Sequence, residues 1–89
     1  MPRKEKVTKI IDGDTFLTNR RTRPVRLSGV DTPEKRQAGY QDAKKALQSA
    51  IGDKEVQVNT EARDKYGRSV AKVKVRTRSV NNQMKEYQK

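Results

Sequence analysis

Pro33 sets the tightest constraint on how this chain can fold. Its ring locks its own φ and biases Thr32 toward an extended conformation, so the strand-like run Val25 to Val30 must end near Val30. Asp31 and Glu34 are then handed to a stiff turn. Within the run, Val25, Leu27 and Gly29 fall on one face and Arg26, Ser28 and Val30 on the other, which points Arg26 away from the apolar side. Strict alternation also puts Arg26 and Asp31 on opposite faces. Bringing the two together requires a change of parity, which a bulge or bend at Gly29 would supply.

The flanking segments divide in the same way into short runs and breaks. Val7 to Ile11 is β-branched and closes in the turn signal Asp12-Gly13-Asp14, followed by the strand-like Thr15 to Thr18, which together read as a hairpin. Asn19 to Pro24, with Arg20, Arg21 and Arg23, reads as a basic connection into the third strand. Tyr40, Ala43, Ala46, Leu47, Ala50 and Ile51 recur at helical spacing up to Gly52, which predicts one helix over Gln41 to Ile51. Val56 and Val58 alternate within Glu55 to Thr60, and Ala71, Val73 and Val75 within Val70 to Val75, with a polar loop from Glu61 to Ser69 between them. Val80, Met84 and Tyr87 are spaced for one face of a short C-terminal helix, made marginal by Asn81, Asn82 and the charges around them. The expected fold is a single domain over residues 1–89, mainly β with some α. It is a small five-stranded OB-type barrel with a helix between strands 3 and 4 and a short C-terminal helix.

Charge and missing residue types narrow the function. Twenty-two Lys and Arg against eleven Asp and Glu give a net charge of +11, a field that attracts a polyanion, most simply nucleic acid. With no Cys and no His, acid–base work falls to carboxylates, Lys or Tyr, and any metal must be held by oxygen, which favours calcium or magnesium over zinc. The opening M-P-R-K-E-K is basic but leads into no apolar segment, and no membrane span is visible. The expectation is a cytoplasmic protein, or the mature part of a secreted precursor.

Against this basic background, Asp12, Asp14, Asp31 and Glu34 crowd into two short loops. Clustered carboxylates repel unless compensated. A hard divalent cation held by Asp14 and Asp31 would compensate them and polarise a phosphoryl oxygen; turn formation by the two aspartates is the plainer alternative. Glu34, three residues beyond Asp31, is the candidate base for activating water, or else an exposed ion-pair partner of Lys35 or Arg36. Arg26 and Arg68 could donate to phosphate oxygens, Arg68 from a tight turn permitted by Gly67. Tyr66 could stack on a base, bind phosphate through its hydroxyl, or serve as an ordinary rim residue.

Three fragments in order, I-D-G-D-T-F at Ile11 to Phe16, V-R-L-S-G-V-D-T-P-E at Val25 to Glu34 and D-K-Y-G-R-S-V-A at Asp64 to Ala71, resemble the staphylococcal nuclease (thermonuclease-like) family. The resemblance runs from about Val7 to Val75. It implies an OB-type barrel carrying out calcium-dependent, sugar-nonspecific endonuclease cleavage of DNA and RNA, as a monomer or weak dimer. By motif position Asp14 and Asp31 would ligate Ca2+ through their side chains and Thr32 through its backbone carbonyl, with Asp12 a supporting neighbour. Glu34 would activate water, Arg26 and Arg68 would grip the reacting phosphate, and Lys65 with Tyr66 would contact the nucleotide's terminal phosphate. Two departures stand out. The segment between Glu34 and the helix is short, and beyond Val75, where the family continues through two further helices, V-N-N-Q-M at Val80 to Met84 looks like the start of the first. A nucleic-acid-binding OB module without turnover, or a protein-interaction domain, would share the fold without needing the acids.

Overall fold

The computed structural model describes residues 4–88; Met1 to Arg3, part of the basic opening segment, and Lys89 lie outside the described residues. Six strands form one sheet: β1 (Lys4–Asp12), β2 (Thr15–Thr18), β3 (Val25–Leu27), β4 (Glu55–Arg63), β5 (Ser69–Val75) and β6 (Arg78–Ser79). They run in the order β3-β2-β1-β4-β5-β6, and β3 also pairs with β5, which closes strands β1 to β5 into a ring of the OB type. That closing pair is parallel, with Val25 opposite Ser69 and Arg26 opposite Val70. Helix α1 (Tyr40–Ile51) lies between β3 and β4, and a short helix α2 (Val80–Met84) runs into a 3-10 turn at Lys85–Tyr87. None of the described helices is long and apolar enough to cross a membrane.

Side-chain parity explains the core. In β1 both Val7 and Ile10 are buried although three residues apart, which simple alternation forbids. The β1–β2 register shifts between Val7 and Lys9, and that irregularity turns Ile10 back inward. Phe16, Val25, Leu27, Val56, Ala71 and Val73 fill the interior with no exposed surface, each large apolar one stabilising by about 1.5–3 kcal/mol. Ala43, Leu47 and Ile51, four residues apart on α1, are buried in the same core, and Tyr40 Oη donates to the Ile11 carbonyl at 3.1 Å, tying the helix start to the end of β1. Val80 and Met84 of α2 are buried in the same core.

Four local expectations are corrected. The third strand stops at Leu27, not near Val30, because Gly29 adopts φ +74 and turns the chain. As a result Val30 is buried with Val25 and Leu27 instead of facing outward. The stretch from Glu61 to Arg63, read as loop, continues β4, since it pairs with β5 up to Arg63↔Ser69. A sixth, two-residue strand at Arg78–Ser79 extends the sheet, and Tyr87 stays at the surface while Val80 and Met84 go in. The basic connection before β3 also reaches a buried acid: Arg21 Nε and Nη2 donate to the Glu5 carboxylate at 2.8 and 3.0 Å, and Thr18 Oγ1 donates to it at 2.8 Å. A carboxylate on the inner face of β1 is tolerable because this bidentate pair compensates it.

Candidate active site

The β1–β2 turn and the loop after β3 meet beside Arg26. Asp14, 7% exposed, holds the Thr15 hydroxyl on Oδ1 at 2.9 Å and accepts the Thr32 N–H on Oδ2 at 3.3 Å. The Leu27 N–H donates to the Asp14 carbonyl at 2.8 Å, so the turn is stitched to β3 through main chain and side chain together. Arg26 Nη2 lies 3.6 Å from Asp14 Oδ2 and 3.8 Å from Asp31 Oδ1. The parity change needed to unite Arg26 with Asp31 is therefore present, and Gly29 makes it. Glu34 is exposed just beyond the buried Pro33; its N–H donates to Gln37 Oε1 at 2.7 Å and its carbonyl accepts the Gln37 N–H at 2.9 Å. Those two bonds give the loop a defined turn.

Gly13 is required by space. A methyl group there would sit 2.6 Å from Ala43 Cβ and 2.7 Å from Thr32 Oγ1, so the β1–β2 turn can approach the loop and helix α1 only without a side chain. Gly13→Ala should cost about 1–3 kcal/mol by overpacking, read as a lowered urea midpoint at unchanged slope. An unchanged midpoint would show that the three segments are not in close register.

Electrostatically the acids are strained against one another. Burial, and then the neighbouring Asp14 carboxyl, push the Asp12 carboxyl up to about 6. Asp12 also accepts the Asp14 N–H at 3.3 Å, as a turn former does. The donor set suits a hard cation in kind: a carboxylate oxygen of Asp14 and one of Asp31 flank the same Arg26 Nη2, and the buried Thr32 Oγ1 has no hydrogen-bond partner close by. Among the described residues no group of three or more acidic, His or Cys side chains is placed to hold a metal, so main-chain oxygen and water would have to complete the coordination. Such a set fits calcium or magnesium and excludes a fully protein-enclosed zinc site.

The other candidate residues, Lys65, Tyr66 and Arg68, lie in the turn between β4 and β5. Asp64 Oδ1 accepts the N–H groups of Tyr66 and Arg68, both at 2.9 Å, and Oδ2 accepts Arg68 Nε at 2.5 Å. Burial works to raise the Asp64 carboxyl, but the Arg68 and Tyr66 donors outweigh it and hold it below the usual carboxylate range. Gly67, at φ +81, lets the turn close. Arg68 Nε is committed to Asp64, and among the described residues the terminal nitrogens of Arg68 enter no ion pair. Tyr66 is 67% exposed, with Lys65 Nζ 5.2 Å and the Arg68 guanidinium 5.3 Å from its ring centre, an aromatic face already lined with positive charge. The parallel β3–β5 ladder sets Arg68, one residue before Ser69, beside the strand that carries Arg26.

Sequence reasoning gave no role to Asp64, although its spacing of two and four residues to Tyr66 and Arg68 is the signature of an acid capping its own turn. It also missed Tyr40, whose bond to Ile11 steadies the strand leading into Asp12 and Asp14.

A family model described as staphylococcal nuclease homologue matches residues 24–87. An uncharacterized endonuclease of Haemophilus influenzae is 38% identical over 82 residues, covering 89% of this chain and 46% of the relative. The micrococcal nuclease of Shigella flexneri is 42% identical over 69 residues, covering 75% of this chain and 40% of the relative, and protein ParB of Escherichia coli is 41% identical over a stretch of the same length. The chain thus spans less than half the length of these curated relatives.

Proposed function

Because the chain belongs to the staphylococcal nuclease homologue family, we propose that it is a calcium-dependent, sugar-nonspecific endonuclease that hydrolyses phosphodiester bonds in DNA and RNA. The observation that carries this reading is the convergence of two carboxylates, Asp14 and Asp31, on the guanidinium of Arg26, with Glu34 three residues beyond Asp31. A module that only bound phosphate would be weakened by acids in that position.

Asp14 and Asp31, with the Thr32 carbonyl, would hold the cation, which when bound supplies Lewis-acid polarisation of a phosphoryl oxygen. The remaining chemistry belongs to side chains of this chain. Glu34 takes a proton from water as the water oxygen bonds to phosphorus in line with the departing sugar oxygen, whose P–O bond breaks and which regains a proton from solvent. Arg26 and Arg68 donate N–H groups to the non-bridging oxygens, on which charge accumulates. Lys65 and Tyr66 hold the terminal phosphate. Asp64 keeps Arg68 in place, and the net charge of +11 gathers the polyanion without regard to sequence. The chain is proposed to act as a monomer or weak dimer.

Nicking of supercoiled plasmid tests the reading directly: cutting with calcium, none with EDTA and none by Asp14→Asn. A folded sample that does not cut with calcium would refute it. Calcium binding also has a readout independent of turnover. At a concentration a hundredfold above the dissociation constant it should stabilise the fold by about 2.7 kcal/mol, raising the melting temperature by several degrees. Asp14→Asn and Asp31→Asn should lose that protection, and an undiminished shift in either would remove that residue from the cation site.

A further inference from the structure

Between the β2–β3 connection and the last residues of β4 lies a cleft of about 530 Å³, lined by Glu5, Arg20, Arg21, Arg23, Arg63 and Ser69 among others. Its floor is neutral: the buried Glu5 carboxylate is matched by Arg21, whose Nη1 also donates to Ser69 Oγ at 3.1 Å. Its walls are not. Among the described residues Arg20, Arg23 and Arg63 make no ion pair, so three guanidinium groups share one cleft with no counter-charge. The volume is in the range of small-molecule sites and larger than a lone inorganic anion needs. No aromatic side chain lines it, so it offers charge and bidentate donors but no platform for stacking a base.

The cleft adjoins the candidate active site. Ser69 follows Arg68 directly, and the Arg23 guanidinium lies against Gly67, where an added methyl group would come within 1.9 Å of Nη1. We propose that this cleft binds a second backbone phosphate of the same nucleic-acid strand, away from the reacting diester, through Arg20, Arg23 and Arg63. The inference rests on the nuclease reading of the neighbouring site. It accounts for recruitment without sequence preference, because backbone phosphates carry charge but no base identity.

Two measurements on the intact chain separate this inference from the nuclease reading. In EDTA, where no cleavage occurs, binding of a fluorescent twelve-residue oligothymidylate is followed over a salt series for wild type, Arg20→Ala/Arg63→Ala and the exposed control pair Lys45→Ala/Lys74→Ala. Both cleft positions are exposed, so folding should survive, as circular dichroism would verify. The cleft variant should bind at least tenfold more weakly, with the slope of log K against log salt reduced by about 0.7 for each phosphate that is no longer neutralised. An unchanged slope, or an equal weakening in the lysine pair, overturns the proposal. With calcium, kcat/KM of the cleft variant should fall on the long strand but stay at the wild-type value on a nucleoside p-nitrophenyl phosphodiester, which has no second phosphate. An equal fall on both substrates would also overturn it, by placing these arginines at the reacting phosphate. If wild type cuts neither substrate, the nuclease reading fails and the binding comparison still decides the cleft.

Discussion

Glu34→Gln is expected to reduce plasmid cleavage by about 10²–10⁴-fold while leaving the affinity for DNA in EDTA nearly unchanged. The substitution keeps the size of the side chain while removing its negative charge and its capacity to accept a proton. Glu34 is exposed, and its backbone is held by Gln37 through bonds that do not involve the carboxylate, so the loop should keep its shape. The other nearby acids are less suited to the task. Asp14 and Asp31 face Arg26 and would be occupied by a cation, and Asp12, pushed up to about 6 by burial and by Asp14, is directed into its own turn. The measurement is single-turnover cleavage under saturating calcium, so that binding and chemistry are separated. A rate within threefold of wild type would take Glu34 out of the role of base and return the assignment to solvent.

What the sequence made legible is what local rules determine. The helix over Tyr40–Ile51 was visible because Ala43, Leu47 and Ile51 repeat every fourth residue, and the β1–β2 hairpin because Asp12-Gly13-Asp14 separates two β-branched runs. The bend at Gly29 was legible as a need, since Arg26 and Asp31 could not otherwise meet. Features that depend on contacts distant in sequence were not legible. Nothing local specifies that β3 pairs in parallel with β5, although that pairing both closes the ring and brings the start of β5, just after Arg68, against the strand that carries Arg26. The burial of Glu5 was invisible because its compensation comes from Arg21, sixteen residues away, on a segment that reads as a surface turn. The parity shift in β1, which brings Ile10 inward, likewise depends on its partner strand.

Asn81→Ala is expected to cost the fold about 2–5 kcal/mol, a large share of what a domain of this size possesses. By helix propensity Asn81 weakens α2, but in three dimensions it anchors it. The side chain is buried, accepts the Val73 N–H on Oδ1 at 2.8 Å, and donates from Nδ2 to the Ser28 and Ala71 carbonyls at 2.8 and 3.1 Å. Alanine would leave the Val73 N–H and the Ser28 carbonyl without these partners; Ala71 is protected, since its carbonyl also receives the Ser28 N–H. The control is Asn82→Ala, an exposed neighbour whose backbone N–H, not its side chain, meets the Ser79 cap, and which should change stability by less than about 0.5 kcal/mol. Urea unfolding of the two variants compares them, and equal midpoints would show that the anchor contributes nothing. The consequence extends to the candidate site. Ser28 lies three residues before Asp31, and Gln88 Nε2 donates to the neighbouring Gly29 carbonyl at 2.8 Å, so the C-terminal segment holds the bend that carries Asp31 toward Arg26 from two points. Calcium affinity should therefore fall in Asn81→Ala even under conditions where the variant remains folded, whereas Asn82→Ala should bind calcium as wild type does.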